Sequence, residues 1–106
     1  MPLERDFDRA MLDIYLRAKL ECRYTASRFL QMLSAQGGLR TAQTLLARTE
    51  TSSGFTELYE LGRLELTVEA HVLDSKFRNL FTTAERRTAW ERLRALHYPV
   101  DPTPPQ

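Results

Sequence analysis

The sequence has one cysteine, four glycines and, before residue 99, a single proline. One cysteine excludes an internal disulfide and fits a reducing compartment. Apolar runs extend only a few residues, too short for a helix that crosses a bilayer. The opening MPLERDFDRA lacks the apolar core of a secretory signal. The expectation is a cytoplasmic protein with no membrane partner. Catalytic signatures are missing as well: there is no P-loop, CxxC pair, HExxH or GxSxG. Gly37-Gly38 has neither the lysine nor the spacing of a phosphate cradle. No cofactor is expected, and an enzyme is not the leading reading.

What is present is a chain of 106 residues, 42% hydrophobic and 27% charged, the balance of one globular domain. Its most apolar part is SGFTELYELGRLELTVEAHVL, Ser53 to Leu73. Phe55, Leu58, Tyr59, Leu61, Leu64, Leu66, Val68, Val72 and Leu73 cannot all face water, so the flanking segments should bury this stretch. Charge is segregated although the net is only +1. Residues 50–74 are strongly acidic, whereas 25–49 contain arginines and no acid, and 75–98 are basic. An acidic segment docked among basic ones accounts for this. A basic surface for nucleic acid is the sharper reading.

Phe7, Met11, Ile14, Tyr15, Ala18 and Cys22 mark one face of a first helix. Cys22 is expected to be buried there as an inert thiol. Leu12, Leu16 and Leu20 form a second row, which reads as either a second core face or a dimer seam. Thr25 can cap a second helix through Leu33, and Gly37-Gly38 ends it. A third helix follows, with Leu39, Ala42, Leu45 and Leu46 inward. This is a helix-turn-helix outline. Arg40, Thr41, Gln43, Thr44 and Arg48 would then face outward as candidate base and phosphate contacts.

Thr56 can cap a short helix that Gly62 terminates. From Arg63 to Val72 polar and apolar residues alternate as in a strand. No other segment alternates, and a lone strand leaves its backbone unpaired, so helix is the expected state unless a second subunit supplies a strand. Thr82-Thr83-Ala84-Glu85 has the form of a capping box. The last helix should run to about Leu96, burying Ala89, Leu93 and Leu96, with Arg86, Arg87, Arg92 and Arg94 wet. Pro99, Pro102, Pro104 and Pro105 make the end extended.

On one helix Glu65 and Glu69 would share a face, so with Arg63 and His71 they form a candidate polar or partner site. Such carboxylates could hold a metal or serve acid–base chemistry. The plainer account is neutralisation by Arg63 and the arginines of the last helix.

The runs Phe29-Leu30-Gln31-Met32-Leu33, Gly37-Gly38-Leu39, Thr41-Ala42 and Leu45-Leu46 resemble those of a widespread family of small bacterial proteins. So do Gly54-Phe55-Thr56-Glu57-Leu58 and Glu60 through Glu69. That family has no established activity, so the resemblance implies a bacterial cytoplasmic setting and assigns no catalytic residue. It keeps a functional role open for Arg63, Glu65 and Glu69.

The fold expected is all-α, five or six short helices over residues 1–98, with an extended proline-rich tail over 99–106. The leading function is a non-catalytic interaction or accessory protein whose partner is another protein or a second copy, as in a homodimer. The alternative is a DNA-binding helix-turn-helix protein using residues 25–48. Third is a metal-dependent enzyme around Glu65, Glu69 and His71.

Overall fold

Apolar residues recurring every three or four positions set the first element. Phe7, Met11, Ile14, Tyr15 and Ala18 are all buried on one face of α1, Pro2–Cys22. The structure is a computed structural model and describes residues 2–106. Next come α2 (Ser27–Ala47), α3 (Ser53–Glu60), a 3₁₀ turn (Leu64–Leu66), α4 (Val68–Val72), a 3₁₀ segment (Ser75–Leu80) and α5 (Thr83–Ala95). No strand occurs among the described residues. The radius of gyration is 12.8 Å, against about 13 Å for a compact chain of this length.

The main core joins Phe7, Met11, Ile14 and Ala18 of α1 to Ala42, Leu45 and Leu46 of α2 and to Leu66, Val68 and Val72 of the central stretch. Phe7 stands edge-on to Phe77 at 5.0 Å and to Phe81 at 5.2 Å between ring centroids. Leu93 is buried in a second cluster with Phe55 and Leu64. The central stretch is thus buried by its neighbours, with two exceptions. Tyr59 and Leu61 are exposed, because they fall on the outer side of α3 and its end.

Within residues 63–72, 64–66 and 68–72 are helical, as two pieces and not one continuous helix. Thr67 is extended (φ −85°, ψ 155°) and divides the 3₁₀ turn from α4. Its hydroxyl donates to Leu64 O at 2.7 Å and accepts from Ala70 N at 3.2 Å. One side chain closes the turn and caps the next helix. The strand-like alternation arises from two short helical pieces meeting at this threonine.

α2 is two helices across a break. Gly37 has φ 82° and ψ 171°, a conformation only glycine adopts readily. The amide of Gly38 donates to Asp8 Oδ1 of α1 at 2.7 Å, so α1 caps the start of residues 38–47. A Cβ at Gly38 would lie 2.8 Å from Asp8 Oδ1 and 3.1 Å from Asp8 Cα. The glycine therefore permits the approach of two helices. The start of α2 differs from expectation: Ala26 precedes it with no side-chain cap, and Thr25 does not serve. Ser52, not Thr56, caps α3, accepting from Phe55 N at 3.1 Å.

Three helices end alike. Arg23 (φ 55°), Gly62 (φ 72°) and His97 (φ 61°) are left-handed. In two of them the next amide returns to a carbonyl five residues back, Arg63 to Leu58 and Tyr98 to Leu93, closing the Schellman pattern, whereas Tyr24 of α1 reaches six back to Ala18. Beyond α5 there is no helix, and residues 98–106 lie back along α5 rather than projecting freely. Trp90 Nε1 donates to Asp101 O at 2.7 Å, Arg94 to Pro102 O at 2.9 Å and Arg87 to Pro105 O at 3.2 Å.

The capping box is present: Thr82 Oγ1 accepts from Glu85 N at 3.1 Å, and Glu85 Oε1 accepts from Thr82 N at 2.9 Å. Thr82→Ala is therefore expected to cost about 1 kcal/mol in urea denaturation. Asp8→Ala should cost about 1–2 kcal/mol and Gly38→Ala about 1–3 kcal/mol. The double variant should lose less than the two together, because both act on one contact. Strict additivity would remove this contact from the account.

Candidate functional site

The expected polar site is divided. Glu65 belongs to the 3₁₀ turn and Glu69 to α4, and the extended Thr67 between them sends the two carboxylates to different partners. Arg63 donates from Nε to Glu65 Oε2 at 2.7 Å and from Nη2 to Glu21 Oε1 of α1 at 2.6 Å. Arg17 binds the same Glu21 at 2.9 Å. Arg17 and Arg63 together hold the Glu21 carboxyl down at about 2, and Arg63 lowers that of Glu65. This network is solvated and adds little to stability. It does orient Arg63, whose Nη1 lies 3.5 Å from Cys22 Sγ. Cys22 is half-buried rather than sealed in the core.

Glu69 is buried, with 3% exposure. Its Oε2 accepts from Arg92 Nη1 at 3.1 Å. Arg92 also donates from Nη1 to Leu45 O at 3.2 Å and from Nη2 to Arg48 O at 2.7 Å. One guanidinium thus joins α4, α5 and the C-terminal carbonyls of α2, where a cation opposes the negative end of the helix. Burial raises the Glu69 pKa above the ordinary carboxylate value, and hydrogen bonds from its own backbone and Arg92 oppose that rise without cancelling it. Arg92 is accordingly a clamp inside the fold, not a wet residue of α5. The signal was in the spacing: Arg92 lies three residues after Ala89 and four before Leu96, on the apolar stripe.

His71 lies away from both carboxylate pairings. Its Nδ1 is 3.0 Å from Thr67 O, and since a carbonyl only accepts, Nδ1 carries the proton. No group of three His, Cys, Asp or Glu side chains that could hold a metal occurs among the described residues.

Of the candidate nucleic-acid contacts, Arg40 and Arg48 are exposed, and Gln43 and Thr44 are half-buried. Thr44 Oγ1 accepts from Gln36 at 3.4 Å. Thr41 is fully buried and its Oγ1 has no hydrogen-bond partner among the described residues. The outward placement of Thr41 is corrected here. It lies three residues after Gly38 and four before Leu45, the packing face of this helix.

Two surface features remain. A groove of about 940 Å³ runs between α1, the first half of α2 and α3, over Ala18, Phe29, Met32 and Leu58. At its floor lies Glu69, already engaged by Arg92. On α1, Leu12, Leu16 and Leu20 are 45%, 43% and 79% exposed. The second leucine row of α1 therefore faces outward, uncovered by the other described residues.

Comparison of the chain with family models, curated proteins and solved structures found no match. The resemblance to small bacterial proteins gains no support from these comparisons.

The Arg92 clamp yields a pH-dependent prediction. Arg92→Ala leaves Glu69 buried without its cation and should cost about 3–5 kcal/mol near neutral pH. A raised carboxyl pKa means the folded state holds more protons than the unfolded state, so stability falls as pH rises above the ordinary carboxylate value. The deficit of Arg92→Ala should accordingly shrink toward pH 4.5, near the ordinary glutamate pKa. Pairing Arg92→Leu with Glu69→Leu should recover most of the loss. Equal deficits in acid and at neutrality in urea titrations would contradict this.

Proposed function

We propose that the protein is a non-catalytic interaction module that docks another protein on the outer face of α1. The observation that carries this reading is the exposed row Leu12, Leu16 and Leu20. Three leucines at four-residue spacing make a continuous apolar seam about two turns long. Single exposed apolar residues are ordinary, whereas an aligned row matches the way a helix packs on a helix. A bacterial cytoplasmic setting belongs to the same proposal.

The DNA-binding reading is less well supported. Arg40 and Arg48 remain available on α2, but Thr41 is inside and the Arg48 carbonyl is held by Arg92. The metal-dependent reading is supported least, because Glu65 and Glu69 bind arginines and His71 faces a backbone carbonyl.

Leu16→Asp tests the proposal. The substitution lies on the surface, so the thermal midpoint should hardly move. An amphipathic helical peptide with an uncharged polar face should shift the amide resonances of residues 9–23 in the wild-type protein. Its affinity should fall at least about tenfold with Leu16→Asp, the effect of removing one apolar anchor. Undiminished binding by Leu16→Asp would sink the reading. Salt-sensitive micromolar binding to mixed-sequence duplex, lost in Arg40→Ala with Arg48→Ala, would put the DNA reading first.

A further inference from the structure

Residues 1–24 contain equal numbers of acids and bases, yet the fold uses them unequally. Asp6 pairs with Lys76 at 3.8 Å, Asp8 accepts the Gly38 amide, and Glu21 binds Arg17 and Arg63. The acids of α1 are largely engaged inside the molecule. Arg5, Arg9 and Lys19, with Arg23 just past the helix end, are exposed and form no ion pair among the described residues.

At 100° per residue Arg5, Arg9 and Lys19 fall with Leu12, Leu16 and Leu20 on about a third of the helix circumference, and Arg23 follows at the helix end. Arg5 and Arg9 precede the leucines, whereas Lys19 and Arg23 stand at their other end. Asp8, which accepts the Gly38 amide, and Asp13 lie on the two borders of this strip, and Glu4 lies off it toward the core side. The outer face therefore reads basic, apolar, basic along its length.

That order discriminates among occupants. A second copy running antiparallel about Leu16 would set Arg9 against Arg23, and a parallel copy would set every base against itself. Both symmetric pairings place like charges together, which costs affinity. Nucleic acid would pair with the bases but leave the leucines against a polar backbone. We infer that the outer face of α1 takes an amphipathic helix of a partner protein whose apolar centre is flanked by acidic residues. This rests on the reading of α1 as a docking face and adds the chemistry of its occupant.

The probes are three synthetic helical peptides with one apolar face, flanked by glutamates, by lysines or by neutral polar residues. Affinities come from fluorescence anisotropy with the full chain, and the contact from amide shifts. The acidic-ended peptide should bind at least about tenfold more tightly than the lysine-ended one at low salt. The gap should narrow at about 0.5 M salt, where exposed charges are screened within a few ångströms. Arg9→Glu with Lys19→Glu should abolish the preference while its thermal midpoint shows it folded. Equal affinity for all three peptides, all lost with Leu16→Asp, would overturn the inference and leave the docking face standing. Binding indifferent to Leu16→Asp would overturn both. Leucine-dependent self-association in sedimentation equilibrium would name a second copy as the occupant. Leucine-dependent binding to phosphatidylserine vesicles without binding to the acidic peptide would name a membrane surface. Either result would overturn the inference.

Discussion

The bond between Arg92 and Glu69 is the constraint on which the arrangement of helices depends. Both side chains are withdrawn from water, 10% and 4% exposed, so neither charge is stable there alone. Arg92 satisfies two carbonyls at the end of α2 as well as the carboxylate. A hydrophobic pair could fill the same volume, but it would leave those carbonyls to find other donors. The clamp thus fixes where α4 and α5 stand relative to the end of α2. It also orders the apolar groove above it, since Glu69 forms part of the floor.

A second constraint acts at the break in the middle of α2. Gly37 breaks the helix and Gly38 allows α1 to approach closely enough for Asp8 to cap the next segment. With the second half of α2, residues 38–47, held at its start and its end, the apolar face of α1 has one place to go. Phe7, Met11, Ile14 and Ala18 enter the core, and the opposite row of leucines is left outside. The exposure of that row is a consequence of packing decisions made elsewhere in the chain.

Local devices were legible in the sequence; of the devices linking distant residues, the pairing of a central glutamate with an arginine of the last helix was expected and the others were not. The Gly37 break, the Gly62 end of α3 and the capping box at Thr82 each involve residues within a few positions, and all three stand where their chemistry indicates. Arg23 and His97 take the same left-handed role as Gly62 without glycine to announce it. The Asp8–Gly38 bond spans 30 positions and leaves no periodic trace, whereas the Glu69–Arg92 pair spans 23 and shows only in the place of Arg92 on the apolar stripe of α5. Neutralisation of Glu65 by Arg63 was legible, being local. Thr41 was misplaced because a threonine on an apolar stripe looks polar by type while its position is internal. Thr67 was missed for a related reason: its extended backbone, rather than its side chain, separates Glu65 from Glu69.

The functional account turns on α1 having two unlike faces, one buried in the core and one bare. Solvent paramagnetic relaxation of leucine and methionine methyl groups, measured on the free chain, tests this directly. The account predicts strong relaxation at Leu12, Leu16 and Leu20, with Met11, Leu66 and Leu93 protected. Protection of the three α1 leucines to the level of Leu66 would show that row to be covered, and would contradict it.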